Sequence, residues 1–176
     1  MRSLIIVAVI VVFSGNLFAQ TPSAGARAQE LAASFNKFKS LSKTKYGATK
    51  EKYKDVHCEP LVRQRVNEYE GVYEATGLGY FIEVRVGNDG VVTGAAFAKG
   101  LLSFTLENGK IEAGLFTATK LYQNGNRENF EGVFLTRTDK ESPTGPGVTT
   151  IGLGVHLSVP VEIDGSTYDR VFYQRH

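Results

Sequence analysis

The stretch NDGVVTGAAF, Asn88 to Phe97, is answered by ENGKIEAGLF, Glu107 to Phe116. Looser versions follow as QNGNRENFEGVF, Gln123 to Phe134, and IDGSTYDRVF, Ile163 to Phe172. Each phrase opens on a polar–Gly pair and closes on an aromatic. Asn-Gly and Asp-Gly accept the positive φ that two-residue hairpin turns demand, so the recurrence is a hairpin grammar and not a catalytic repeat. The residues between the turns alternate with period two, as half-buried strands do. GYFIEVRV sets Tyr80, Ile82, Val84 and Val86 against Phe81, Glu83 and Arg85.

Working outward, EYEGVYEA is a first strand, and VVTGAAFA and LLSFTLE follow the second. Asn108-Gly109 is expected to turn into KIEAGLFTATKLY, and Asn124-Gly125 into ENFEGVFLTRT. After the longer DKESPTGPG loop come VTTIGLGVHLSV and, past Asp164-Gly165, STYDRVFYQR. About eight strands joined mostly by tight turns predict an all-β fold, a small antiparallel meander closing into a barrel of the lipocalin-like kind. A β-sandwich is the alternative, because the DKESPTGPG loop offers a crossing between two sheets. VNEYEGVYEA, followed by an alternating strand and an Asn-Asp-Gly turn, resembles the opening of small lipocalin-like accessory domains of some secreted bacterial hydrolases. That resemblance rests on Tyr-x-Gly-x-Tyr over two strands and implies a barrel.

Ahead of the sheet, the period is different. MRSLIIVAVIVVFSGNLFAQ joins a basic Arg2, an apolar run from Leu4 to Phe13, and a small-residue region ending at Ala19. This is the grammar of a secretory signal over residues 1–19, and the run is half the roughly 20 residues of a membrane-spanning helix. Export to the periplasm or beyond the cell is therefore expected, with no transmembrane span left after processing. Residues 20–67 are expected to hold a disordered lead-in, QTPSAGAR, then an amphipathic helix and a linker. Ala28, Leu31, Phe35, Phe38 and Leu41 recur at helical spacing, with Lys37, Lys39, Lys43 and Lys45 mostly off the stripe. Residues 68–176 form the barrel domain.

Charge follows the same division. Between Gln20 and His57 eight basic residues face three acidic ones, a balance of +5, whereas from Cys58 onward eleven basic residues face fifteen acidic ones, a balance of −4. Lys37, Lys39, Lys43 and Lys45 are thus candidates for docking on an anionic envelope partner. The lysines lack the arginines and interleaved aromatics of a nucleic-acid surface, so no nucleic-acid partner is expected.

Chemistry is sparse. Cys58 is the only cysteine, which excludes an intramolecular disulfide; its expected place is buried beside Leu61 and Val62. The histidines, His57, His156 and His176, have no ligand spacing, so no metal is expected. There is no G-x-S-x-G elbow, and the glycines around Gly152 and Gly154 precede no helix that could hold a phosphate. Glu68, Glu70, Glu74, Glu83, Glu128 and Glu131 allow a carboxylate pair across strands but single out none.

The sequence therefore predicts a cofactor-free, non-enzymatic binding protein with a small apolar or glycan ligand in or at the mouth of the barrel. An envelope interaction protein acting through the basic helix is the second class, and a hydrolase with a carboxylate site ranks below both. Alternation places Ile111, Leu115, Leu153 and Val155 inward, joined by Phe104 and Phe134. Phe104, Leu115, Phe134, Leu153 and Val155 are the candidate ligand contacts. Glycines at 114, 132, 152 and 154 stand where large side chains would otherwise fill space, which favours a modest pocket over a packed interior.

Overall fold

A computed structural model describes residues 22–37, 39–43, 49–53, 56–75, 79–139, 149–155 and 170–175. The expected secretory signal over residues 1–19, Phe38, Lys45, His156 and His176 lie outside the described residues. Helix α1 (Ala24–Ser34) opens them, followed by a 3₁₀ turn (Phe35–Lys37). Strands β1 (Lys39–Lys43) and β2 (Thr49–Tyr53) pair antiparallel as a separate two-stranded unit. Then come β3 (Val56–Pro60), a 3₁₀ turn (Val66–Tyr69), β4 (Gly71–Ala75), β5 (Tyr80–Val86), β6 (Val92–Ala98) and β7 (Leu101–Glu112). β8 (Leu115–Tyr122), β9 (Arg127–Asp139), β10 (Thr149–Val155) and β11 (Arg170–Gln174) complete the order. No helix among the described residues is long and apolar enough to cross a membrane.

From β4 to β11 each strand pairs antiparallel with the next, and β11 returns to β4. The result is an eight-strand barrel, nearly closed, whose seam between β11 and β4 is registered at only two residue pairs. The barrel expectation stands over the sandwich, because residues 140–148 join strands that are neighbours, β9 and β10. β3 adds to β9 on the same edge as β8, taking over where Leu115↔Val133 leaves off and Pro60↔Leu135 begins.

Two faces of this sheet are apolar. Inside, Tyr73, Val84, Val92, Leu106, Phe116, Phe134 and Leu153 are sealed from solvent. Outside, β9 presents Val133 and Leu135, which with Leu115, Cys58 and Val171 receive Ala28, Leu31, Ala32 and Phe35 from the helix side. Ser23 caps α1 by accepting from Ala26 N at 3.2 Å, so the helix starts inside the segment expected to be disordered. Arg27 then forks onto Glu131 of β9, Nε–Oε1 3.0 Å and Nη2–Oε2 2.6 Å, which fixes the helix direction on the barrel. Phe35 lies across Gly154: a Cβ on that glycine would meet the ring at 2.6 Å.

The helix is shorter than its apolar stripe predicts. It ends at Ser34, and the expected continuation through Leu41 is instead β1, with Lys37 in the 3₁₀ turn and Lys39 and Lys43 in the strand. Lys-Ser-Leu-Ser-Lys is a weak helix former, since serine competes for the backbone, and the outer apolar face that holds α1 is already covered by Phe35. Lys37, Lys39 and Lys43 therefore lie beyond the amphipathic helix.

One turn also moves. β7 runs straight through Asn108-Gly109, where Asn108 takes φ 53° in a bulge that shifts the β7–β8 register between Glu107 and Lys110. Gly109 is required there, because a Cβ would strike the Val92 carbonyl. The chain reverses at Ala113 (φ 51°) and Gly114 (φ 85°) instead.

If Phe35 seats on Gly154, then Gly154→Ala should destabilise by about 1–3 kcal/mol, the usual cost of overpacking. The same change in a Phe35→Ala background should cost much less, because the clashing ring is gone. Urea titration of the four proteins measures the coupling; equal costs in both backgrounds would show that the helix does not sit there.

Candidate functional site

The two ends of the barrel are built differently. At one end the chain enters β4, and the segment from Leu61 to Glu70 folds under the barrel. Leu61 N donates to Phe134 O at 2.8 Å, Arg63 N donates to the Tyr69 hydroxyl at 2.7 Å, and that hydroxyl donates to Leu61 O at 2.9 Å. Tyr73 donates to Tyr69 O at 2.8 Å, and burial keeps its phenol neutral by pushing its pKa well above the ordinary tyrosine value. The Tyr69 and Tyr73 rings pack on Phe134 at 4.7 and 5.3 Å, and Phe116 stacks on Phe134 and meets Phe130 edge-on. This end is plugged by aromatics.

Among the described residues, the opposite end carries the turns at Lys99-Gly100 and Gln123–Asn126; residues 76–78 and 156–169, which join β4 to β5 and β10 to β11 at this end, lie outside them. Its inward positions follow from cross-strand register, since directly paired residues share a face. Ala98 pairs with Tyr80, Ala96 with Phe104, Phe104 with Tyr122, and Ala118 with Phe130. Each alanine of this half thus faces an aromatic across the strands, so small and large side chains are interleaved here. Leu101, 75% exposed, and Leu102 give this end an apolar rim.

Between Ala118 and Tyr122 on the same face lies Lys120, the sole buried charged side chain among the described residues. Its cross-strand partners are Leu106 and Glu128. Its Nζ stands 5.4 Å from the centroid of the Phe104 ring and 3.7 Å from Glu128 Oε2. Tyr122 donates its hydroxyl to that same Oε2 at 2.8 Å. Partial burial, together with the hydrogen bond to and the negative charge of Glu128, raises the Tyr122 pKa. Lys120, Glu128, Tyr122 and Phe104 thus form one polar-aromatic cluster at the end opposite the plug.

Of the candidate ligand contacts, Phe104, Phe134, Leu153 and Val155 belong to the inner cluster. Phe104 alone of these is part-exposed, at the end opposite the plug, while Phe134 and Leu153 are sealed in the aromatic packing. Leu115 is a correction: it faces outward beneath the helix. The displaced turn explains it, because moving the reversal from Asn108-Gly109 to Ala113-Gly114 puts Phe116, Ala118 and Lys120 on the inner face. The same slip hid Lys120 from sequence reasoning; read from Phe116 with period two, it falls inward.

The glycine argument for a pocket also fails. Gly154 faces Phe35 outside, and a Cβ on Gly152 would meet Val171 of the outer cluster at 2.7 Å. Gly114 is a turn residue, and the space over Gly132 is taken by Leu153 and Phe130. Nor do Glu128 and Glu131 make a pair. Three positions apart on one strand they face opposite sides, with Glu131 held by Arg27. His57 and Glu59 meet outside at 2.7 Å while Cys58 is buried with the helix, away from the exposed Val62. Among the described residues no three His, Cys, Asp or Glu side chains gather as metal ligands do.

Leu153 lies within the packed half, so Leu153→Ala is expected to destabilise by about 2–5 kcal/mol, the range for a buried leucine. Denaturant unfolding measures this; a loss under 1 kcal/mol would mean slack around Leu153 and an interior that is not filled.

No known protein family, curated protein or solved structure matches this chain.

Proposed function

We propose that the protein is an exported, non-enzymatic binding protein that takes a small, mainly apolar ligand at the barrel end opposite the Leu61–Glu70 plug. The observation that carries this reading is the asymmetry of the interior. Tyr69, Tyr73, Phe116 and Phe134 fill the half above the Leu61–Glu70 plug, whereas in the other half Tyr80, Phe104 and Tyr122 are interleaved with Ala96, Ala98 and Ala118 beneath an apolar rim. Small eight-stranded barrels have room for one ligand when side chains do not fill the width. The site then centres on Phe104, Tyr80 and Tyr122 and leaves Phe134 and Leu153 as its floor. Tyr69 and Tyr73 are buried at the plugged end, so the aromatics left to meet a ligand are Phe104, Tyr80 and Tyr122. The leader grammar of residues 1–19 supports export to the periplasm or beyond the cell.

A saturable rise in fluorescence is expected when an apolar reporter dye is titrated into the folded protein. Ala98→Phe, which fills the mouth, should weaken it about tenfold or more without lowering the melting temperature, as loss of a ligand-sized space does. Leu115→Ala, on the outer face, should lower stability and spare affinity. The reading fails if the wild type gives no saturable signal, or if Ala98→Phe binds as well as wild type.

The basic residues from Lys37 to Lys54 are assigned a separate role toward an anionic envelope surface, because the helix stripe next to them is already spent on the barrel. Such binding should fall steeply between low salt and physiological salt, where screening sets in over about 8 Å. Vesicle co-sedimentation with anionic lipid measures it, and salt-independent binding would count against the assignment.

A further inference from the structure

Strands β1 and β2 form a two-stranded sheet of their own, and among the described residues no barrel strand pairs with it. A hairpin standing alone in this way is marginal in water unless a further element covers one of its faces. Its strands hold Lys39, Lys43, Lys50 and Lys52 against Glu51, a balance of 4 − 1 = +3. The register divides these charges between two faces, because directly paired residues of an antiparallel sheet share a face. Ser40 pairs with Lys52 and Ser42 with Lys50, so one face holds two lysines, two serines and no acidic residue. On the other face Lys39 pairs with Tyr53, Leu41 with Glu51, and Lys43 with Thr49. The carboxylate and both large apolar residues of the two strands are thus kept off the Ser40–Ser42–Lys50–Lys52 face. Lys50 and Lys52 stand two positions apart on β2, about 6.7 Å at the strand rise, and repel each other until an anion neutralises them.

We propose that the Ser40–Ser42–Lys50–Lys52 face docks on the phosphate head groups of an anionic lipid surface. This rests on the reading of the basic segment as a contact for an anionic envelope surface, and it names the face and the chemistry of the partner. Charge complementarity carries it. An array of head groups offers phosphate oxygens to all four residues at once, and lysine and serine both donate to such oxygens. The leader grammar of residues 1–19 supports export, which brings the protein to the envelope. Leu41 and Tyr53 lie on the opposite face, so the contact is electrostatic and inserts no apolar residue. Docking also supplies the layer that the hairpin lacks, so its strands gain order when bound.

The test sediments the purified protein with vesicles of phosphatidylglycerol and phosphatidylcholine, with phosphatidylcholine vesicles as control, at about 0.1 M salt, where screening acts over about 10 Å. Lys50→Gln combined with Lys52→Gln should weaken binding to the anionic vesicles roughly tenfold or more, since each lysine near such a surface contributes about fivefold. Lys39→Gln with Lys43→Gln removes the same charge from the other face and should weaken it about threefold or less. Leu41→Ser should leave binding unchanged. All three variants should keep the wild-type melting temperature, which reports that the barrel is folded. Hydrogen exchange over residues 39–53 should slow when anionic vesicles are added. Equal losses from the two lysine pairs, a loss with Leu41→Ser, or unchanged exchange overturns the proposal and leaves the anionic role of the segment standing. Capture by polyphosphate without vesicle binding overturns the lipid assignment in favour of a polymer. Binding to neither overturns the anionic role as well.

Discussion

Strand β9 is buried on both sides, and the rest of the architecture is arranged around that fact. Phe130 and Phe134 point into the barrel, while Val133 and Leu135 point out beneath the helix. A single antiparallel strand ordinarily has one apolar face and one wet one. Here the outer face needs a cover, and α1 with its Phe35 supplies it. The same strand gives one edge to β10 and shares the other between β8 and β3. It thereby ties the helix side, the plug and the barrel wall into one packed body.

Much of this was legible in the sequence, because the hydrophobic alternation and the Asn-Gly and Asp-Gly pairs are local signals. The strand content, the meander and barrel closure all follow from them. FEGVFL, Phe130 to Leu135, carries a further signal: three apolar residues in succession at its end mark a strand with no solvent face. What was not legible depends on tertiary packing. Asn108-Gly109 satisfies the hairpin rule equally as a bulge, and only the fit of Gly109 under the Val92 carbonyl decides between them. That choice reverses the faces of the following strand, which is why Leu115 was misplaced and Lys120 overlooked.

The helix boundary shows the same limit. Ala28, Leu31 and Phe35 hold their expected face because the barrel offers a surface for them. Phe35 is matched to a glycine more than a hundred residues away, and nothing near either residue announces the partner. The glycines of β10 looked like missing volume inside the barrel. They are concessions on its outside, and the distinction between the two readings lies wholly in which face a strand turns to its neighbours.

Arg27 and Glu131 are 104 residues apart in the chain, and among the described residues that cover the apolar stripe of α1 only Cys58 of β3 is made early, whereas Leu115, Val133, Leu135 and Val171 come late. At synthesis rates of about 5–20 residues per second, α1 waits roughly 5–20 s after it is made before the carboxylate that holds Arg27 exists. Isolated helices of this length are marginal in water, so in that interval the segment is mostly unstructured chain. Helix α1 is therefore locked down only once most of the barrel has been made.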